Sequence, residues 1–277
     1  MVLNPLAQLL PATALLIAAG LYGAGALRLA GHRVSWPAAR TAAFMGGLAT
    51  LGAAVALPAL LGPAGGHDPR LHMAQHLLLG MLGPLLIVVS APVTLALRTL
   101  RPPARRRLVR VLHRRPMRAL SHPATALALS AGGLYVLLLT PLHARALHDP
   151  LLNVGVQVHF VLTGTLFAWA VVGIDPMPRR PSLRTRGAVL LAAIALHTVL
   201  SRLLYGDADR LASEAGGSAG QWRQAAELMW YEGDLIELAL LLVFVAQAYR
   251  VRGRGRAPAG GGDPVARAGA ASGATGS

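Results

Sequence analysis

Across 277 residues the chain is 54% hydrophobic and 13% charged, with a formal net charge of +15 and a mean hydropathy of +0.52. That balance is too apolar for a soluble domain of this size and marks an integral membrane protein. All 26 basic residues are arginine and there is no cysteine, which excludes a retinal-type Schiff base, an amine nucleophile, disulfides and thiolate ligands. The arginines lie between apolar runs and not on one soluble face, so they read as topology signals, and nucleic acid is excluded as a partner.

A bilayer core asks for about 20 apolar residues per helix. Seven segments meet that length: 6–27, 38–61, 71–97, 123–142, 151–172, 187–205 and 226–249. The expected fold is all-α, a seven-helix transmembrane domain over residues 1–250. No basic residue precedes the first span and its apolar stretch is full length, so it reads as retained and not as a cleaved leader. Residues 251–277 end in "APAGGGDPVARAGAASGATGS", too poor in bulky apolar residues to fold, and are expected to be a disordered cytoplasmic tail.

Arginine placement orients the spans. The first connection carries Arg28, Arg33 and Arg40, and the fifth carries Arg179, Arg180, Arg184 and Arg186. The third holds nine, Arg98, Arg101, Arg105, Arg106, Arg107, Arg110, Arg114, Arg115 and Arg118, which read as a grip on anionic headgroups. Those loops are expected to be cytoplasmic, with the N-terminus outside and the C-terminus inside.

With that orientation, polar groups from four spans fall in the outer half of the bilayer. His72 and His76 occupy the first two turns of the third span, in "LHMAQHLLLGMLGPLLIV". At a rise of about 1.5 Å per residue, His159, His197 and Asp234 lie roughly 12 Å below the outer surface. The i, i+4 spacing of His72 and His76 lets two imidazoles reach one metal, and equally suits an interfacial pair touching water. Gln75 stands where a zinc protease would need a different pattern. His159 and His197 are ligands or partners of a neighbouring helix. Asp234, a carboxylate inside a bilayer, calls for a metal, a proton-carrying role or a cation, with Arg202 the nearest candidate. Tyr231 shares its stripe, and Met73, Met81 and Met229 flank the slab as packing or as thioether donors for copper(I). His143 and His148 are read as loop residues, solvated or delivering metal to the deeper site. Pro84 cannot donate to the carbonyl of Gly80, so a bend is expected just below the histidine pair.

Three stretches, "HMAQHLLLGMLGPLLIVVSAP", "HFVLTGTLFAW" and "ELMWYEGDLIELALLL", resemble the multi-span CtaG-type cytochrome c oxidase assembly factors associated with caa-type oxidases, over roughly residues 40–250. The resemblance implies a bacterial plasma-membrane protein that helps mature the oxidase, with oxidase subunits as partners and copper as the metal handled. By match of motif it implies His72, His76 and His159 as copper ligands, with Asp234 a fourth ligand or the acceptor that fixes a ring tautomer. His197, Met73, Met229, Tyr231 and Arg202 stand as supporting positions. The sixth connection, "GDADRLASEAGGSAGQWRQAAE", departs from the family's pattern. No nucleophile or phosphate loop accompanies the cluster, so a copper chaperone is expected in preference to an enzyme. A membrane haem protein with His76 opposite His159 or His197, and a copper or proton transporter, are the alternatives.

Overall fold

The computed structural model describes residues 5–61, 68–178 and 180–256. Every secondary-structure element among them is helical: α1 (Pro5–Gly31), α2 (Ala38–Leu61), α3 (Pro69–Leu77), a π-helical turn (Leu78–Leu82), α4 (Gly83–Val89), α5 (Pro92–Thr99), α6 (Pro102–Leu112), α7 (Arg115–Leu120), α8 (Pro123–Leu139), α9 (Leu142–His148), α10 (Pro150–Val172), α11 (Leu183–Gly206), α12 (Ala208–Ala215) and α13 (Ala219–Arg256).

Five helical stretches are long and apolar enough to cross a bilayer: Pro11–Gly31, Ala38–Leu57, Pro69–Val89, Pro150–Val172 and Leu183–Gly206. The fourth expected span ends early. α8 stops at Leu139, and α9 leaves it at 79°. Pro141 has no N–H to continue the ladder, and the Thr140 hydroxyl accepts from the Leu142 amide at 3.3 Å to make the corner. The seventh expected span lies inside the 38-residue α13, whose N-terminal half carries Glu227, Glu232, Asp234 and Glu237. α13 also continues through Arg256, so the expected disorder does not begin at 251; residues 257–277 lie outside the described part.

The third span needs a second correction, because its helix ends at Val89 and not at 97. Ala91 takes a left-handed conformation, φ 56°, and Pro92 opens α5 in a new direction. Asp175, 1% exposed, holds that corner by accepting from the amides of Val93 (3.1 Å) and Thr94 (2.7 Å) and from the Thr94 hydroxyl (2.6 Å). The Tyr22 hydroxyl donates to the Ser90 carbonyl at 3.0 Å and accepts from the Trp36 indole at 3.2 Å. Nearby, buried Arg186 donates through Nε to the Val171 carbonyl (2.6 Å) and through Nη2 to Val172, closing the C-terminus of α10.

The starts of α3 and α10 are written more locally. α3 and α10 both begin with Asp-Pro: Asp68 accepts from the Arg70 amide at 2.9 Å, and Asp149 from the amides of Leu151 (2.9 Å) and Leu152 (3.2 Å). An aspartate N-cap followed by proline at the first helical position is a strong start signal.

The third span is the hub. α3 packs on α13 and α2, α4 packs on α2 and α10, and a ring closes through α10, α8, α11 and α13, with α1 outside against α2 and α5. Below the histidines the expected bend takes the form of the π turn, in which the Gly83 amide donates to the Leu78 carbonyl. An inserted π turn relieves the ladder that Pro84 breaks. It also brings the backbone of Gly80 against Gly164 of α10, where a side-chain carbon on Gly164 would collide with the Gly80 carbonyl. Leu16, Leu21, Leu162, Leu191 and Leu242 point outward as the lipid-facing surface.

Candidate functional site

The half of the bundle away from the arginine-rich loops gathers five titratable side chains into a row. His72 and His76 lie one turn apart on α3 and share a face. The His72 ring is 4.3 Å from that of His143 on α9, and the His76 ring is 4.7 Å from Phe160 and 6.4 Å from His197 on α11. His197 Nδ1 lies 3.5 Å from an oxygen of Glu237 on α13. His76, His143, His197 and Glu237 are each 8% exposed or less. The row therefore runs from the α8–α9 corner at His143 to a carboxylate within the helix ring.

Unmet hydrogen bonds set this row apart. Buried and without a hydrogen-bond partner are His72 Nε2, His76 Nδ1, His143 Nδ1, both ring nitrogens of His197, and Glu237 Oε2. Each such atom costs about 1–3 kcal/mol, a cost that folding normally removes. A cavity of about 20 Å³ opens beside His72, His76 and His143, lined also by Asn153, Gln157 and Phe160 of α10. It has room for one water-sized guest.

Local sequence explains each placement. α9 tilts back over the bundle because of the Thr140–Pro141 corner, and Trp222 of α13 meets the His143 ring edge-on at 5.5 Å. Trp222 is 1% exposed and donates through its indole to the Gly216 carbonyl at 3.0 Å. Gly216 and Gly217 hold φ of 81° and 80°, a turn that favours glycine. The sixth connection thus folds as α12, this turn and the first turns of α13, a cap over the histidines. At the inner end, the His197 ring lies against Gly233, where any side-chain carbon would collide with it.

The structure brings together His72, His76 and His197 of the sequence candidates, draws in His143, which is buried on α9 and not a solvated loop residue, and adds Glu237. His159 does not join them. Its Nε2 is 3.2 Å from the Leu129 carbonyl, and the ring covers Gly133 of α8, while its neighbour Phe160 faces His76. Asp234 is exposed on the outer surface of α13, one residue from the buried stripe. Arg202 does not pair with it; the guanidinium lies 3.6 Å over the Trp230 ring, beside exposed Tyr231. Met73 and Met229 are fully buried in the apolar core. His148 is exposed and its Nδ1 lies 2.8 Å from the Ala144 carbonyl. Among the described residues, no three His, Cys, Asp or Glu side chains converge as a ready-made metal cage.

Glu237 was legible in principle. Trp222, Ala226, Met229, Gly233, Leu240 and Phe244 follow helical spacing, and that stripe includes position 237 and leaves out 234. His143 carried no such signal, since its burial depends on two distant segments.

Fold and site together define an all-helical protein with several helices long and apolar enough to cross a membrane and a row of buried, unsatisfied imidazoles under a helical cap. The chain belongs to the cytochrome c oxidase caa3 assembly factor (Caa3_CtaG) family, which matches residues 20–251. It is 37% identical over 201 residues to an uncharacterized protein of Mycobacterium bovis, a match covering 69% of this chain and 29% of that one. An uncharacterized protein of Mycobacterium leprae is 31% identical over 252 residues, 86% of this chain and 38% of the relative. The chain therefore matches well under half the length of these curated relatives. No solved structure matches.

Proposed function

We propose that this chain serves oxidase maturation by binding copper as cargo along the His72–His143 and His76–His197–Glu237 row and passing it to an oxidase subunit. The observation that carries this reading is the set of unpartnered ring nitrogens around a small cavity. Neutral imidazole suits copper, and copper(I) tolerates low coordination. Donors in a row, with no closed cage, favour exchange over storage. His159 and Asp234 are not needed as ligands. A porphyrin requires far more than the cavity of about 20 Å³, which disfavours the haem alternative.

Copper content of the detergent-purified chain after loading tests this. His72→Ala/His76→Ala/His143→Ala should lose bound copper, while His159→Ala and Asp234→Ala keep it. Equal copper in all of them would overturn the assignment. A row of rings ending on a carboxylate also suits proton movement. Proton or copper flux into proteoliposomes would favour transport, whereas binding and exchange without flux fits the assembly role.

The proposed topology has seven crossings of the bacterial plasma membrane, with α8–α9 and α13 completing the set, the N-terminus outside and the tail inside. The arginine distribution supports it. Because the chain has no native cysteine, single cysteines at His148 and Arg110 report their side directly. Labelling by an impermeant maleimide in intact cells at 148 and not at 110 is expected; the reverse pattern would invert the topology.

A further inference from the structure

The opposite, arginine-rich end carries a cleft of about 780 Å³ between the α7–α8 corner and the segment entering α11. Arg115, Arg118, His122, Arg180, Ser182 and Thr185 line it, and none of its lining residues is acidic. Arg180 is held in place by donating from Nη2 to the Gly173 carbonyl at 3.0 Å, which leaves the rest of its fork available. Arg115 and Arg118 form no ion pair among the described residues.

Three features of the fold converge on this cleft. The helices α8 and α11 both start at its wall and turn their positive dipole ends toward it. They pack on one another, so the cleft opens between the starts of two neighbouring helices, which the proposed topology sets at the inner headgroup layer. Just before it, α6 alternates Arg105, Arg106, Arg107 and Arg110 with Leu108, Val109, Val111 and Leu112 along a short helix, the pattern of a segment lying in the interface. Three uncompensated guanidinium groups facing one space call for more than one negative charge, and the planar fork of arginine matches phosphate oxygens. Basic pockets between membrane helices on the inner side are suited to multiply charged lipid headgroups.

We infer that this cleft binds an anionic phospholipid headgroup carrying two phosphates, of the diphosphatidylglycerol type, clamped between Arg115 and Arg118 on one side and Arg180 on the other. This is a defined site, distinct from the general attraction of the arginine-rich loop for the membrane. It is independent of the copper reading.

Native mass spectrometry of the full chain in neutral detergent, titrated with diphosphatidylglycerol or phosphatidylglycerol, tests it. The two-phosphate lipid should bind about tenfold more tightly than the one-phosphate lipid. Arg115→Gln/Arg118→Gln/Arg180→Gln should remove that preference, while Arg105→Gln/Arg106→Gln/Arg107→Gln, with the same charge change on α6, should keep it. Arg115→Gln/Arg118→Gln, which leaves the Arg180–Gly173 contact intact, should also lose it, separating ligand loss from misfolding. Equal weakening by the α6 and cleft variants would overturn the site in favour of diffuse attraction. Displacement of the lipid by millimolar inorganic pyrophosphate would overturn the lipid as source and point to a soluble phosphate compound.

Discussion

The two ends of this molecule treat buried polar groups in opposite ways. At the arginine-rich end, Asp175, Arg186, Tyr22 and Ser90 are buried and each hydrogen-bonded, Asp175 to Thr94, Arg186 to Val171, Tyr22 to Ser90 and the Ser90 hydroxyl to Ile87; the Trp169 indole is the exception. At the opposite end, the histidines and Glu237 keep orphaned atoms. Satisfied networks fix corners of a fold, whereas groups left unsatisfied at a cost of several kcal/mol are retained for another reason. The difference separates scaffold from site without reference to any relative.

That contrast can be broken by substitution. The largest effect is expected from Arg186→Ala, which strands the carbonyls of Val171 and Val172. Bonds to a charged donor are worth about 1.5–3 kcal/mol each, so unfolding in detergent should show a loss of about 3 kcal/mol with copper binding unchanged in the folded fraction. A parallel loss of copper at full stability would erase the division. Asp175→Ala should cost less, about 2 kcal/mol, by stripping the acceptor from the Val93 and Thr94 amides. His76→Leu should act in the reverse sense. It removes an unsatisfied polar atom from an apolar surrounding, so stability should hold or rise by about 1 kcal/mol while copper binding falls. A marked destabilisation there would make His76 a structural residue.

The smallest expected effect is a tilt in the pH profile. Burial raises the Asp175 carboxyl above its usual range, opposed by the bonds from Thr94 and Val93. A raised folded-state value means that the folded chain keeps a proton that the unfolded chain has released. This carboxyl's contribution to stability therefore falls as pH rises from the ordinary carboxylate range through the raised value. Wild type should gain on Asp175→Asn as pH is lowered from neutral toward about 4; parallel profiles would show that burial leaves no net shift.

The helices were legible because span length and Asp-Pro starts are local signals. The third span's end was not. Its apolar run continues past Ser90, and the chain turns there because Pro92 and a carboxylate 82 positions away favour a corner. Within the site, His72 and His76 could be read from spacing on one helix. His159 and Asp234 were each one residue out of phase, and a step of one residue is about 100° of helix. Phe160 took the inward direction because Gly133 offers His159 room on α8. Glu237 took it because Gly233 leaves space for His197 four residues earlier. Small residues at the helix contacts, Gly133 on the facing helix in one case and Gly233 on the same helix in the other, decided the rotation, and only a packed structure shows which helices face.

The π turn at Leu78–Leu82 makes the third span a phase-shifted rod. One extra residue in the turn sets the angular position of the histidine-bearing segment independently of the segment from Pro84 inward. Wound as an ordinary α-helix with no residue removed, the same segment would turn His72 and His76 by up to about 100° relative to the inner half and sweep the rings away from His143 and His197. Deleting a single leucine from Leu78–Leu79 removes the surplus residue and should keep both halves nearly in register, so the site's alignment is held by the winding of the span and not only by the identity of any ligand.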